Sequence, residues 1–307
     1  MCFGTIGWGV KITGDELDRL YDAFREAGGN FFDSAHVYAF WLPNGYGSSD
    51  RALGEIVLRR GDRRNVILAT KGGHPSAKNG YERPDDYLSP RQIASDVADS
   101  LGWLGVDRID LYYLHRDDPR VPVGEIIETL DEHVRSGRLG AIGVSNWTHD
   151  RLAAANEYAV KNGRVRFSAS QDKFSLAVAQ SSKDKTVPDF TPADFDYHCD
   201  SQLPLCAYSP TANGYFATDG VKGARGYTHP VTTARLRLAR EIAAELGATP
   251  NQIALAYIMH QPFPVIPILG TCNSEHLADA LGAARVTLTP QQIERLRAAD
   301  GTAENRA

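Results

Sequence analysis

Apolar positions recur along this chain with two different periods, and segments of the two kinds alternate. The helical period is clearest after a capping-box sequence at residues 13–16, and it predicts a helix over residues 14–28. The apolar face of that helix consists of Leu17, Leu20, Tyr21 and Phe24. Three further segments have a capping residue followed by proline at the first helical position, and each predicts a helix start: residues 89–92, 249–252 and 289–292.

Eight short apolar runs lie between the helical patterns, and each predicts a strand. They are CFGTIGW (2–8), NFFD (30–33), NVILAT (65–70), IDLYYL (109–114), LGAIGVS (139–145), RFSASQ (166–171), LPLCAY (203–208) and PVIPIL (264–269). Strands that alternate with helices pair in parallel and are covered on the outside. The pattern therefore predicts an α/β fold, a single (β/α)8 TIM barrel that occupies residues 1–307.

Length and composition agree with that prediction and limit the classes of partner. The 307 residues fit one large barrel, and no composition break or Ser/Gly/Pro-rich linker divides them. A formal charge of −5 and the lack of a Lys/Arg run argue against nucleic acid and anionic membrane surfaces. Four scattered cysteines, no long apolar run and no signal sequence predict a cytoplasmic protein.

Ionisable residues lie where the strands of such a barrel would end. Asp33 ends the second apolar run, Lys71 and His115 follow the third and fourth, and Tyr38 lies on the loop after the second. A lysine beside a tyrosine favours the phenolate, so we expect it to lower the phenol pKa from its ordinary value of about 10. A histidine across the cleft is suited to orient a carbonyl oxygen. The set predicts a site that protonates a carbonyl oxygen as charge develops on it.

These residues, in their order and context, resemble the aldo-keto reductase superfamily. The resemblance rests on FFDSAHVY, ATKGG, LYYLHRDDP, GVSNW, SASQ and LCAYSP, and it runs from residue 2 to about 300. It implies hydride transfer between a nicotinamide cofactor and an aldehyde or ketone, with Tyr38 as general acid. It also implies that Lys71 and Asp33 tune this tyrosine and that His115 orients the carbonyl group.

The resemblance also implies a set of cofactor contacts. Ser145, Asn146 and Gln171 would bind the nicotinamide carboxamide, and Tyr208 would stack on the ring. The remaining contacts would hold the pyrophosphate and adenosine: Ser209, Leu269, Gly270, Thr271, Ser274 and His276. Relatives usually have a basic residue near position 272, where this chain has a cysteine. NADP is the cofactor we predict, and NAD is the alternative.

A second departure from the family concerns the start of the barrel, because the short strand pair that usually precedes strand one is missing from this sequence. A homo-oligomer that covers this end of the barrel is one interpretation. The predicted acceptor pocket includes the loop over residues 211–227 and five side chains: Trp8, Trp41, His74, Arg116 and Trp147. Aromatic walls with a few polar groups favour a sugar-like or polyhydroxylated carbonyl substrate.

Three other interpretations remain to be weighed. Lys71 at a strand end is also compatible with a Schiff-base aldolase, although a nearby Asp33 would keep that lysine charged. A regulatory subunit that binds the nicotinamide cofactor without turnover is the non-enzymatic alternative. His36, His74 and His115 are candidate metal ligands, but the first apolar run lacks the H-x-H pattern of barrel metallohydrolases, so we predict no metal.

Overall fold

The structure is a computed structural model that describes residues 1–77 and 80–299. Lys78, Asn79 and residues 300–307 of the predicted domain lie outside the described residues. Eight strands are observed, one in each apolar run. They are β1 Cys2–Gly4, β2 Phe31–Asp33, β3 Ile67–Gly72, β4 Ile109–Leu114, β5 Leu139–Ser145, β6 Phe167–Lys173, β7 Leu205–Tyr208 and β8 Val265–Leu269.

Helices follow the strands, as the alternating pattern predicts. They are α1 Gly14–Glu26, α2 Ser48–Arg59, α3 Pro90–Leu104, α4 Val123–Arg135, α5 His149–Lys161, α6 Pro192–Ser201, α7 Ala224–Tyr227, α8 Pro230–Leu246, α9 Pro250–Met259, α10 Ser274–Gly282 and α11 Pro290–Ala298. None of the described helices is long and apolar enough to cross a membrane.

Every strand pairs in parallel with its neighbours in sequence, and β8 pairs with β1 to close the barrel. At the closure Cys2 lies beside Ile268 and Phe3 beside Leu269. The predicted (β/α)8 barrel is therefore confirmed. Because all eight strands run the same way, their C-terminal ends meet at one mouth, where functional residues of this fold are found.

The described residues form three hydrophobic clusters: one inside the barrel, one between the barrel and its helices, and a small one of Ala35, Val37 and Tyr81. The inner cluster is small because only alternate residues of each strand point inward. It consists of Cys2, Phe31, Ala69, Tyr113, Ala169, Cys206 and Ile268. The Tyr113 ring takes much of this space, and it lies against Gly143 on the next strand. A Cβ at Gly143 would come within 2.6 Å of that ring, so a side chain there would displace it.

Strand β1 is shorter than the apolar run that predicts it. The run covers residues 2–8, but the strand ends at Gly4. Gly7 and Gly9 have φ angles of 90° and 80°, and this left-handed backbone turns the chain away from the sheet. The chain after Gly4 therefore forms part of the rim at the mouth.

The predicted helix starts are observed, but two of the four predicted capping boxes are not formed in full at these described helix ends. Thr249 and Thr289 each form a full box with the glutamine three residues later. Ser89 caps α3 from its side chain, without the return bond from Gln92. Thr13 occupies the cap position of α1, yet its side chain accepts no hydrogen bond from the first turn, all of which is described. The reason is Gly14, whose φ of 54° is not helical.

Candidate active site

The pleat of the barrel strands carries six side chains to the mouth. Residues two apart on a strand point to the same side, so the residue two positions after an inward one also faces the interior axis. Six strands end in such pairs, with the deeper residue given first: Phe31 and Asp33, Ala69 and Lys71, Tyr113 and His115, Gly143 and Ser145, Ala169 and Gln171, Cys206 and Tyr208. All six outer members are among the predicted site residues.

Lys71 is the centre of the site. Its Nζ donates to Asp33 Oδ2 at 2.6 Å, to the backbone oxygen of Ser34 at 2.7 Å and to Tyr38 Oη at 3.0 Å. An ammonium group has three donors, so this set uses all of them and fixes the orientation of the group. Lys71 and Asp33 are each only 1% exposed. Burial opposes the charge on Lys71, but Asp33 and Tyr38 outweigh it and raise the pKa of the lysine above its ordinary value.

Tyr38 reaches the site from the loop after β2. The next residue, Ala39, has a φ of 64°, an unfavourable conformation for alanine that makes the turn at this point. Burial raises the pKa of the Tyr38 phenol, and the Lys71 cation lowers it by less. The expectation of a net lowering was therefore wrong, because it weighed the charge without the loss of water. The phenol keeps its proton and is suited to donate it.

His115 faces Tyr38 across the mouth. The two ring centroids are 6.1 Å apart with the planes at 80°, and the His74 ring lies 5.0 Å on the other side. Nδ1 of His115 is buried without a hydrogen-bond partner among the described residues. Burial, and after it the nearby Arg116 charge, lower the pKa of His115 well below its ordinary value. His115 is therefore a neutral ring at pH 7, with one N–H to donate.

The residues predicted to bind the carboxamide form a connected set beside this centre. Asn146 has a φ of 60° and donates from Nδ2 to the His115 carbonyl at 3.2 Å and to Ser145 Oγ at 2.9 Å. Tyr208 Oη donates to Asn146 Oδ1 at 2.8 Å. Gln171 Nε2 donates to Asp33 Oδ1 at 3.0 Å, which links this set to the Lys71 pair. The amide oxygen of Gln171 and the partly exposed ring of Tyr208 suit a carboxamide and an aromatic ring.

The predicted pyrophosphate and adenosine contacts lie on two segments of the rim. Ser209, with a φ of 53°, follows β7, while Leu269 ends β8 and Gly270 and Thr271 follow it. Helix α10 begins at Ser274, as predicted, but its first turn is already capped. Asn273 Oδ1 accepts the backbone N–H groups of residues 275 and 276 at 2.8 and 3.0 Å, so these donors are not free for a phosphate.

Two of the predicted pocket residues are not pocket walls. Trp8 is fully buried and packs edge-on against Phe3 with centroids 5.4 Å apart, because the turn after β1 folds it under the rim. Trp147 is 4% exposed and packs against Phe167 at 5.5 Å. Both tryptophans hold loops against the barrel. The prediction that they line the acceptor pocket was wrong.

Three other predicted pocket residues do lie at the rim. Trp41 is 42% exposed on the loop after β2. His74 lies beside His115, and burial, with Arg116 nearby, lowers the pKa of His74 to about 4. Arg116 donates from Nη1 to the His115 carbonyl at 2.8 Å.

Asp172 is a residue of the site that was not predicted from the sequence. Its Oδ1 accepts the backbone N–H of Asn146 at 2.8 Å, and burial raises the pKa of this carboxyl to about 7. Only the pairing of β5 with β6 brings the two residues together, so local sequence carries no signal for it. The described residues contain no group of three or more His, Cys, Asp or Glu side chains placed to bind a metal ion.

Comparisons with known proteins find relatives that match almost the whole chain. An oxidoreductase of Bacillus subtilis (strain 168), YrpG, described as uncharacterized, is 30% identical over 96% of this chain and 90% of its own length. The 6-dehydroglucose reductase of Novosphingobium aromaticivorans is 28% identical over 92% of this chain and 86% of its own length. A crystal structure of a thermostable aldo-keto reductase with the inhibitor epalrestat has a TM-score of 0.73 at 22% identity, covering 97% of this chain and 94% of that one.

The comparison with family models covers almost the whole chain. The model of the Aldo/keto reductase family matches residues 1–300, which include every predicted site residue. The resemblance drawn from the sequence motifs is thereby confirmed. This chain belongs to the aldo/keto reductase family.

Proposed function

We propose that this protein reduces an aldehyde or ketone with a nicotinamide cofactor, with Tyr38 as the general acid. Membership of the family supports oxidoreductase activity on carbonyl compounds. The observation that carries the proposal is the contact of Lys71 Nζ with both Asp33 Oδ2 and Tyr38 Oη, at 2.6 and 3.0 Å. It places a protonated phenol beside a fixed positive charge at the mouth of the barrel.

Several side chains of the site would then have separate roles at the carbonyl group. A nicotinamide cofactor held by Ser145, Asn146, Gln171 and Tyr208 would supply the hydride for the carbonyl carbon. Tyr38 Oη gives its proton to the carbonyl oxygen as negative charge develops there, and the product is an alcohol. Lys71 stabilises the phenolate that remains, while Asp33 holds the ammonium in place. His115, as a neutral ring, donates its N–H to the same oxygen, and solvent returns the proton to Tyr38.

The aldolase alternative requires a different state of Lys71. A Schiff base forms only on a neutral amine, but Asp33 and Tyr38 raise the pKa of this lysine, and its three donors are all engaged. These observations favour the reductase. The regulatory-subunit alternative, which binds cofactor without turnover, is decided by the assay below.

NADP and NAD are the two candidate cofactors. NADP is the prediction from the resemblance, whereas the segment over residues 269–280 contains Glu275 and Asp279 and no lysine or arginine. A 2′-phosphate would need a cation from elsewhere on the rim, because guanidinium groups are its usual partners. Comparison of kcat/KM for NADPH and NADH with one aldehyde decides between the two cofactors.

For the substrate we propose a sugar-like or polyhydroxylated carbonyl compound. The name of one relative, 6-dehydroglucose reductase, and the mixed rim of Trp41, His74 and Arg116 support this class. Aromatic faces pack on C–H groups while polar side chains meet hydroxyls. Reduction of aryl aldehydes that is faster than that of keto sugars by orders of magnitude would contradict it.

The test of the proton donor is Tyr38→Phe, with Tyr46→Phe as a matched control on the same loop. Oxidation of NADPH or NADH by D-glyceraldehyde is followed by absorbance, and cofactor binding by fluorescence. We expect Tyr38→Phe to bind cofactor nearly as wild type and to lose about 10²–10⁴-fold in kcat, the usual effect of a positioned general acid. Tyr46→Phe should turn over normally. Near-wild-type turnover of Tyr38→Phe would remove the assignment, and cofactor binding without turnover in wild type would favour the regulatory alternative.

A further inference from the structure

Arg116 carries a buried positive charge whose carboxylate partner is distant. Its side chain is 13% exposed, and the carboxylate it faces, Asp184 Oδ2, is 3.9 Å from Nη2. Asp184 is itself 49% exposed. Two other poorly exposed arginines differ in this respect: Arg151 has Asp117 at 3.0 Å, and Arg83 donates to Asp96 at short range. Removal of a charge from water is costly unless a partner compensates it, so Arg116 is incompletely compensated.

The guanidinium group of Arg116 also has N–H groups that donate to no acceptor among the described residues. Nε donates to Thr186 Oγ1 at 3.1 Å, and Nη1 donates to the His115 carbonyl at 2.8 Å. Of the five N–H groups of an arginine, this leaves the second on Nη1 and both on Nη2. Adjacent donors on two nitrogens form the fork that accepts a carboxylate by two parallel hydrogen bonds.

This fork is next to the reacting groups. Arg116 follows His115 directly, and its charge lowers the pKa of the His74 and His115 rings. The same charge opposes the burial that raises the pKa of the Tyr38 and Tyr208 phenols. Arg116 Nη1 and Asn146 Nδ2 donate to the same His115 carbonyl, at 2.8 and 3.2 Å, which places the guanidinium beside the predicted carboxamide site. Lys71 has its carboxylate at 2.6 Å, whereas that of Arg116 is 3.9 Å away.

We propose that Arg116 binds a carboxylate of the substrate, so that this protein prefers oxo acids, compounds with both a carbonyl group to be reduced and an acidic group a few atoms away. The proposal rests on the proposed reductase function and narrows its substrate class. A sugar acid fits both descriptions. The substrate carboxylate takes the place beside Nη2 that Asp184 fills only loosely, and Asp184, half exposed, turns to solvent.

The test compares succinic semialdehyde with its methyl ester, which keeps the aldehyde and the chain but has no charge. A hydrogen-bonded charge pair in this position should give wild type a kcat/KM about 10- to 100-fold higher for the acid. Arg116→Met should bring this ratio close to one. Asp184→Asn should raise the ratio, because it removes a competing carboxylate. Arg120→Met is the control: this arginine lies nearby but is 62% exposed and paired with Asp118, so the ratio should not change.

The outcomes separate this proposal from the one it rests on. A wild-type ratio near one, with both aldehydes reduced, overturns the assignment of Arg116 and leaves the reductase intact. Equal losses for acid and ester in Arg116→Met, together with weaker cofactor binding, assign the arginine to the cofactor and also overturn it. If wild type reduces neither these aldehydes nor D-glyceraldehyde, the reductase function fails and this inference fails with it.

Discussion

The buried pair of Asp33 and Lys71 should dominate the stability of the barrel mouth, and a double-mutant cycle isolates it. The variants are Asp33→Asn, Lys71→Met and the two combined. In Lys71→Met the Asp33 carboxylate stays 1% exposed, with the Gln171 amide at 3.0 Å as its remaining side-chain donor. An uncompensated charge left inside a protein costs about 3–5 kcal/mol. Asp33→Asn leaves the opposite charge and should cost a similar amount.

The double variant contains neither charge, so it should be no less stable than either single variant. The coupling free energy between the two sites is therefore expected to reach about 3 kcal/mol or more. The pKa of Lys71 is raised above its ordinary value of 10.5, so its contribution is fully present at pH 7 and is lost only as the pH rises through the folded pKa. Measurement at pH 7 thus captures the whole effect.

Urea unfolding of the four proteins gives the free energies. A second cycle on Arg295 and Glu241, a surface pair 3.3 Å apart with both side chains nearly half exposed, supplies the control. Its coupling should stay below about 1 kcal/mol. If the losses of Asp33→Asn and Lys71→Met simply add, the pair is not an interacting charge pair and the account of a fixed ammonium beside Tyr38 fails. All three variants should be poor reductases. Lys71→Met and the double variant lack the charge that stabilises a phenolate, and Asp33→Asn lacks the carboxylate that holds this charge in place.

Two more predictions concern stability. Burial raises the pKa of Asp172 to about 7, whereas the unfolded chain releases this proton near 3.8. The free energy of unfolding should therefore fall as the pH rises from about 4 to about 7. The fall should be about 2–4 kcal/mol. Urea unfolding at pH 4 and at pH 7 measures it, and Asp172→Asn should show no such fall. An equal dependence of the free energy of unfolding on pH in wild type and variant would refute this. Thr249→Ala and Thr289→Ala should each cost about 1 kcal/mol, whereas Thr13→Ala, which removes no cap bond, should cost less than about 0.5 kcal/mol. Thermal midpoints check this order.

The architecture was predictable because its signals are local. A strand of this barrel needs only a short apolar run, and a helix start needs only a cap and a proline, so both are visible within a few residues. The predictions from the sequence failed where a single backbone angle determined the local structure. Gly7 and Gly9 end β1 early, and Gly14 disables the cap at Thr13. Glycine allows positive φ without requiring it, and so the sequence does not reveal which glycines use it.

Site residues were predictable where the alternation of side chains along a strand places them at the mouth. They were not predictable where packing determines the position of the side chain. Asp33, Lys71 and Gln171 lie two residues beyond inward positions, so any correct assignment of the strands carries them to the mouth. Trp8 and Trp147 follow strand ends as well, but the turns after β1 and β5 direct them into packed layers. The roles assigned to the catalytic set stay predictions, and the variants above test them.

The charge of the cleft shows why a total taken over the sequence does not describe a site. The chain carries −5, a value that argues against polyanions, yet Arg116 at the mouth is a cation paired only loosely with a carboxylate. Lys71 and Asp33 form a close ion pair and His74 and His115 are neutral at pH 7, so Arg116, 3.9 Å from Asp184, is the cation with the loosest pairing there. Many acidic residues are on the outer helices, as with Asp18 beside Arg59 at the surface. Salt screens such charges over about 8 Å at physiological ionic strength, so they repel a long polyanion but have little effect on a small anion inside the barrel. An acidic protein of this kind can therefore select an acidic substrate.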